Sequence, residues 1–422
     1  MIRGAGVARE DCPALEVADV LVEGGVITGV GSKLEAPAGA KIIGGEGRVL
    51  LPGLFDLHTH FRDPGDEDKE TIRSGSEAAI SGGFTGVLMM PNTSPAIDGG
   101  GVVQAVLDSA RETSRIAIYT AGCITRGREG EELAGIAGMK AKGVRMLTDA
   151  GAPVSNPLVL RRAMEYARNY DLILASHGET PELSGDGSMN EGKRSYELGI
   201  PGIPSVSEEI CVNRDCRLAQ YTGSRLHIQQ ISTARAMGTV RRFKAEGVAL
   251  TCEVTPHHLM FNEDDMIDYD SNYKVNPPLR TAEDNAALVQ GLIDGVFDVI
   301  ATGHAPHTEF EKKRDFSSAP FGVTGLETAL PTMYERFLKT GRFGWDVIVK
   351  RLSAEPRRLI GLDPISVAEG QPAELALFNP ERSSVFTRDF MCSKSSNTPF
   401  YKQEVEGLIE LVVFGGEVLL ER

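Results

Sequence analysis

The chain reads GLFDLHTHFRDPGDEDKETIRSGSEAAISGGFTGVLMM at residues 53–90. Two short apolar runs, LFDLH at 54–58 and FTGVLMM at 84–90, stand at its two ends, and the segment between them has helical character. A strand, a helical crossover and a second strand form one parallel βαβ unit. This stretch therefore predicts an α/β fold built on a parallel sheet.

The same alternation continues along the chain and gives eight apolar strand-like runs. They lie at 54–58, 84–90, 115–122, 144–148, 172–177, 225–230, 248–254 and 298–302. The segments between them have helical spacing of apolar residues, as in NPLVLRRAMEYARNY at 156–170. Near-continuous apolar strands indicate burial on both faces. Eight strands alternating with helices predict a TIM (β/α)₈ barrel.

The two ends of the chain have a different pattern. Residues 17–30 (VADVLVEGGVITGV) and 408–420 (LIELVVFGGEVLL) contain alternating apolar strands with Gly-Gly turns. Neither end has enough apolar surface to fold alone, so we expect them to pair. The predicted domains are a composite β-sandwich of residues 1–50 and 364–422 and a barrel of residues 51–363.

Composition excludes several classes of function. The formal charge of −15 argues against a nucleic-acid partner, because a phosphate backbone requires a basic face. No run approaches the roughly 20 apolar residues of a membrane span, and the N-terminus lacks the apolar core of a signal peptide. The six cysteines show no metal-ligand spacing and no disulfide framework, which favours a cytoplasmic location.

Barrel enzymes carry their chemistry at the C-terminal ends of the strands, and polar residues cluster there in this chain. His58 and His60 end the first strand two residues apart, so both imidazoles can face the barrel interior and reach one metal ion. Asp149 after the fourth strand and His177 after the fifth would extend the site, since a carboxylate can bridge two ions. The pattern predicts a metal site at the mouth of the barrel.

Longer strings carry a family resemblance. The chain resembles the long, class I type of dihydroorotase in the amidohydrolase superfamily, with an HxHxR-[DE]-P-G signature, and the likeness covers nearly its whole length. The matching strings are residues 53–85 quoted above, MMPNTSPAID at 89–98, SMNEGKRSYELGIPGIPSVSEE at 188–209, EVTPHHL at 253–259, YKVNPPLR at 273–280, HAPHTEFEKKRDF at 304–316 and FGVTGLETALP at 321–331.

The resemblance implies an activity. Such enzymes interconvert dihydroorotate and N-carbamoyl-aspartate in pyrimidine synthesis, using a hydroxide held by one or two Zn²⁺ ions. It implies that His58, His60 and Asp149 hold one zinc and that Asp149 with His177 holds the other. It also implies that the substrate carboxylate is bound by a further set of residues, namely Arg62, Asn92, Asn276 and His307.

Two positions depart from the family pattern. Gly303 stands in Thr302–His307 where the family writes T-D-H-A-P-H, so the aspartate that ligates zinc and acts as general base is lost. Gln230 stands where the family has a metal-binding histidine, and an amide oxygen is a poor zinc ligand beside imidazole. His227 lies three residues earlier, so strand alternation predicts an outer-face or packing role for it. A smaller departure is Ala150, where a second acidic residue often follows the ligand aspartate.

Three hypotheses follow. The first is a dihydroorotase with a depleted site, which turns over slowly with one zinc. The second is a catalytically silent subunit, since such proteins in the family serve as scaffolds for aspartate transcarbamoylase. The third is a related hydrolase of hydantoins or similar rings, against which the Arg62–Asn92 carboxylate clamp and the absence of a bridging lysine both count. The resemblance also predicts a homodimer or a transcarbamoylase complex, with a small-molecule substrate.

Overall fold

The computed structural model describes residues 1–422. Five strands precede the barrel. They are β1 (Ile2–Arg9), β2 (Cys12–Glu23), β3 (Val26–Gly31), β4 (Ile43–Gly44) and β5 (Val49–Pro52).

Eight parallel strands then form a ring, and two further short strands pair in the loop that follows the fifth. In chain order they are β6 (Leu54–Thr59), β7 (Phe84–Met89), β8 (Ala117–Thr120), β9 (Met146–Leu147), β10 (Ile173–His177), the loop pair β11 (Met189–Asn190) and β12 (Gly202–Ile203), β13 (Leu226–Gln229), β14 (Leu250–Val254) and β15 (Val299–Ile300).

Two junctions close the ring. The ladders β6-β7-β8 and β9-β10-β13-β14-β15 meet where Gly122 bridges Leu147. The other junction forms where the His60 amide donates to the His304 carbonyl at 2.8 Å. All eight predicted strands are present, and the predicted barrel is confirmed.

Helices connect the strands around the outside of the ring. They are α1 (Ile72–Ser81), α2 (Gly100–Thr113), α3 (Ile136–Ala141), α4 (Pro157–Asn169), α5 (Pro181–Ser184), α6 (Lys193–Leu198), α7 (Ser205–Thr222), α8 (Ala234–Ala245), α9 (Pro256–Met260), α10 (Ala282–Ile293), α11 (Glu309–Lys312), α12 (Ala329–Met333), α13 (Trp345–Val349) and α14 (Glu355–Leu359). Local sequence sets several starts. Asn156 caps α4, Thr233 caps α8 and Thr281 caps α10, each through a side-chain oxygen that accepts a backbone N–H. No helix is both long and apolar enough to span a bilayer.

The last three strands return to the first five. They are β16 (Leu375–Val385), β17 (Glu404–Phe414) and β18 (Glu417–Glu421). Pairing of β16 with β5 joins both chain ends into one eight-stranded sheet, ordered β18-β17-β16-β5-β1-β2-β3, with β4 beside β1. Its own apolar core includes Val7, Val20 and Leu377. The pairing of the two ends follows the expectation from sequence, while the domain boundaries at 50/51 and 363/364 stay predictions.

Candidate active site

A cavity of about 380 Å³ opens at the C-terminal ends of the barrel strands. Nine of the ten residues singled out from the sequence line it. They are His58, His60, Arg62, Asn92, His177, Gln230, Asn276, Gly303 and His307. The structure therefore brings together side chains from six loops or strand ends, because parallel strands end at one rim. The individual roles of these residues stay predictions.

His58 and His60 lie at the end of β6, with ring centroids 5.1 Å apart. The Nδ1 atom of His58 lies 2.6 Å from Glu253 Oε1, and His60 Nδ1 lies 2.8 Å from Asn92 Oδ1. Each imidazole is thus held through Nδ1, which leaves Nε2 as the atom free to meet a ligand.

Glu253 on β14 is fully buried and links two histidines. Its Oε2 lies 3.0 Å from His227 Nε2, and its Oε1 contacts His58. Burial acts to raise the pKa of Glu253, but the neighbouring His58 and His227 outweigh it and lower the pKa to about 2. His227 is therefore an interior residue beneath the cavity, and its expected outer-face position is wrong. The alternative expectation, a packing role, agrees with the buried position of His227.

Asp149 differs from its predicted placement. Its Oδ1 accepts the amides of Ile124 at 2.8 Å and Thr125 at 3.1 Å, and its Oδ2 accepts the Thr125 hydroxyl. The carboxylate is thereby committed to the loop after β8 and does not line the cavity. The residues that line the cavity here are Ala150 and Gly151. Since β9 ends at Leu147, strand alternation no longer decides which side chain points inward.

Gln230 and Gly303 are close neighbours in the wall of the cavity. A Cβ built on Gly303 would stand 2.5 Å from Gln230 Nε2, so the amide fills space that a side chain at 303 would need. Gly303 has φ +62° and Gln230 has φ +48°, both left-handed conformations. The Gln230 amide makes no hydrogen bond within the protein, although the residue is only 7% exposed.

The predicted carboxylate-binding residues all line the cavity. Arg62 Nε donates to the Pro306 carbonyl at 3.3 Å, and Arg62 Nη2 lies 3.3 Å from His307 Nε2. Asn276 Nδ2 donates to Glu179 Oε2 at 2.9 Å. Burial lowers the pKa of Arg62 to about 10, so it stays a cation at neutral pH.

His177 contributes a buried polar atom that has no partner. Its Nε2 makes no hydrogen bond, and the nearest acidic oxygen, Glu179 Oε2, is 3.7 Å away. Burial lowers the pKa of His177, which favours the neutral imidazole. A buried nitrogen without a partner is rare in folded proteins and points to a ligand-binding role.

Three residues of the site were missed by the sequence reasoning. Glu253 ends an apolar strand, so the strand-end rule could have found it. His257, in the string EVTPHHL, lines the cavity. Arg128 lies in the loop after β8, where no strand pattern marks it. Its guanidinium donates to the carbonyls of Asp149 and Ala150 at 3.1 and 2.6 Å and also lines the cavity.

The donor set does not fit a metal ion. None of the 19 residues that line the cavity is an aspartate or glutamate, and no group of three His, Cys, Asp or Glu side chains in the chain is arranged to hold a metal. Zinc sites need several strong ligands at about 2 Å. The positions that face the centre instead carry Ala150, Gln230 and Gly303. The histidines that remain face a cavity whose only charged side chains are arginines.

The sequence of this chain is similar to those of a known protein family. The family described as Dihydro-orotase-like matches residues 47–236. The chain is 42% identical over 407 residues to a dihydroorotase of Pelobacter propionicus, covering 96% of each chain. It is 40% identical to a dihydroorotase of Caldanaerobacter subterraneus, covering 99% of this chain and 96% of that protein.

Solved structures share the fold. The L-hydantoinase (dihydropyrimidinase) of Arthrobacter aurescens superimposes with a TM-score of 0.87 at 22% identity, covering 100% of this chain and 95% of that one. The dihydropyrimidinase of Brevibacillus agri gives a TM-score of 0.85 at 20% identity, covering 100% and 94%. At these identities the likeness establishes the barrel architecture alone.

Proposed function

Because the chain belongs to the dihydroorotase family, the cyclic amidohydrolases of pyrimidine synthesis, we propose that its cavity binds dihydroorotate and N-carbamoyl-aspartate without interconverting them at an enzymatic rate. The family is generally metal-dependent. The observation that carries the proposal is a cavity lined by two arginines and five histidines but by no carboxylate. The arginines suit an anionic ligand, and no three side chains of the lining are arranged to hold a metal ion.

The predicted carboxylate-binding residues support the first part of the proposal, which is that the cavity binds dihydroorotate and N-carbamoyl-aspartate. The planar fork of Arg62 matches a carboxylate, and Asn92 and His307 add polar atoms beside it. Its guanidinium is held by the Pro306 carbonyl, so little rotamer entropy is lost when a ligand binds. These contacts need no metal.

The residues at the positions of the hydrolytic groups support the second part of the proposal, which is that the ligands are not interconverted. Attack of water on an amide carbonyl needs a base to take its proton, and the loss of a positioned base typically costs about 10²- to 10⁴-fold in rate. The carboxylate base that the family resemblance implies is missing, because Gly303 has no side chain, the Gln230 amide is not basic, and Ala150 presents only a methyl group. Asp149 cannot replace them, because its oxygens accept three hydrogen bonds from Ile124 and Thr125.

A role in assembly fits the same cavity as a second candidate. The chain keeps the whole barrel and the sheet formed by both of its ends around a cavity that is lined by no carboxylate. An intact fold without its hydrolytic groups is what a scaffold subunit requires. The expected partner is aspartate transcarbamoylase, and co-elution of the two purified proteins on size exclusion tests this candidate.

The test of the main proposal combines three measurements on the purified full-length protein. Elemental analysis should find less than stoichiometric zinc after zinc loading and desalting, and assays in both directions should find no turnover that survives buffer controls. Calorimetry should nevertheless detect both ligands. Arg62→Gln should abolish that binding, whereas Arg73→Gln, which changes an exposed arginine on α1, should leave it unchanged.

Zinc-dependent turnover would contradict the proposal and support a depleted but working enzyme, and turnover of hydantoins alone would support the related hydrolase.

A further inference from the structure

Two arginines line the cavity, Arg62 in the loop after β6 and Arg128 in the loop after β8. The Arg62 guanidinium is held by the Pro306 carbonyl, in the loop after β15, and the Arg128 guanidinium is held by the Asp149 and Ala150 carbonyls, just after β9. In the ring order β6-β7-β8-β9-β10-β13-β14-β15, β9 is fourth and β15 is eighth. The two anchoring points therefore lie half a turn apart.

Both guanidinium groups are prepared for an anion in the same way. Arg62 donates to a carbonyl through Nε, Arg128 donates to carbonyls through Nε and Nη2, and each leaves Nη1 without a protein partner. Both residues also have left-handed backbones, with φ +61° for Arg62 and φ +63° for Arg128. Non-glycine residues seldom adopt this conformation, and such strain concentrates at ligand sites.

The space between the arginines is lined by neutral polar groups. His177 Nε2 is a buried nitrogen without a hydrogen-bond partner, and the Gln230 amide also lines the cavity. Together they can donate to and accept from a ureido or amide group. The carboxylate of Glu179, near the cavity wall, already accepts a hydrogen bond from Asn276 Nδ2 at 2.9 Å.

We infer that Arg128 is a second anion-binding residue, so that the cavity takes an open-chain ureido dicarboxylate, with one carboxylate on Arg62 and the other on Arg128, in preference to the cyclic monocarboxylate. This inference rests on the proposed function and adds which of the two proposed ligands the cavity binds more tightly. A ring with one carboxylate satisfies Arg62 and leaves Arg128 unpaired in a half-buried position, whereas the open-chain ligand pairs both cations.

Calorimetry with the full-length protein and its variants tests the inference. The wild type should bind N-carbamoyl-aspartate at least about tenfold more tightly than dihydroorotate, because only the open-chain ligand makes the additional charge-assisted hydrogen bond to Arg128. Arg128→Gln should remove that preference and leave dihydroorotate affinity within about twofold. Arg126→Gln is the matched control, because Arg126 lies two residues away, pairs with Glu132 at 3.2 Å and does not line the cavity.

Other outcomes separate the two proposals. If the wild type binds neither ligand, the proposed function itself fails. If both ligands bind but Arg128→Gln weakens them equally, or weakens neither, only the inference about Arg128 is overturned. Arg128→Lys guards against a folding defect, because it keeps the charge and loses the fork held by Asp149 and Ala150. It should keep a preference for the dicarboxylate, and a well-folded Arg128→Lys without any preference would overturn the inference.

Discussion

The side-chain amide of Gln230 occupies the place that a side chain on residue 303 would take, since its Nε2 lies 2.5 Å from the position of a Cβ on Gly303. The two departures from the family pattern are therefore one structural change. Glycine at 303 leaves room for the amide, and the amide fills the volume that the glycine leaves. A side chain at residue 303 therefore requires the Gln230 amide to move.

This coupling predicts a specific double-mutant cycle. Gly303→Ala should lower the free energy of unfolding by about 1–3 kcal/mol, because it adds left-handed strain and a clash with Gln230. In the Gln230→Ala background the clash is absent, so the same change should cost about 1 kcal/mol less. Urea denaturation measures both values. Gly151→Ala is the control, since Gly151 has φ +72° and open space around its Cβ position, and equal costs in the two backgrounds would refute the coupling.

A second prediction concerns restoration of a metal site. Gln230→His with Gly303→Asp should bind zinc weakly, because Ala150 still leaves the fourth strand without a ligand. Adding Ala150→Asp should raise the zinc content towards one ion per chain and give measurable dihydroorotate turnover. Elemental analysis and an assay follow the series. Full zinc binding by the double variant would show that Asp149 turns inward and ligates after all.

A third prediction tests the structural role of Asp149. Asp149→Ala leaves the buried amides of Ile124 and Thr125 without an acceptor, which should cost about 2–3 kcal/mol of stability. Zinc content and ligand affinity should stay at wild-type values once the variant is folded. Asp268→Ala, at an exposed loop position, should change neither property. If the variant keeps its stability but loses bound metal, Asp149 is a ligand.

A fourth prediction follows from Glu327, which is 4% exposed and accepts the amides of Cys392 at 2.8 Å and Ser393 at 3.3 Å. Burial raises the pKa of Glu327 to about 7 from its ordinary 4.5. Between these values the unfolded chain binds fewer protons than the folded one, so this group makes stability fall as pH rises, with no further loss above pH 7.

Glu327→Gln should remove that dependence. Its stability relative to the wild type should grow between pH 4.5 and 7, by an amount on the order of 3 kcal/mol. Denaturation curves at several pH values measure the difference. The exposed Glu112→Gln on α2 is the control, and parallel pH profiles for wild type and Glu327→Gln would rule out the assigned shift.

The strands and the location of the site were predictable, because buried parallel strands leave continuous apolar runs and their C-terminal ends share one rim. The direction of single side chains beyond those ends was not. Asp149 lies two residues past β9, and its carboxylate is captured by Thr125 in another loop. Gln230 turns into the cavity through a left-handed backbone, which no alternation rule anticipates. Arg128 is placed by carbonyls after β9, a contact that no local pattern encodes.

The central claim is that this cavity binds the family's ligands through arginines and neutral polar groups, with no metal ion. Calorimetric titration of N-carbamoyl-aspartate into protein treated with a chelator, beside untreated and zinc-loaded samples, tests it most directly. The account predicts the same affinity in all three samples and no more than trace zinc in any of them. Binding that disappears with the chelator and returns with stoichiometric zinc would contradict it.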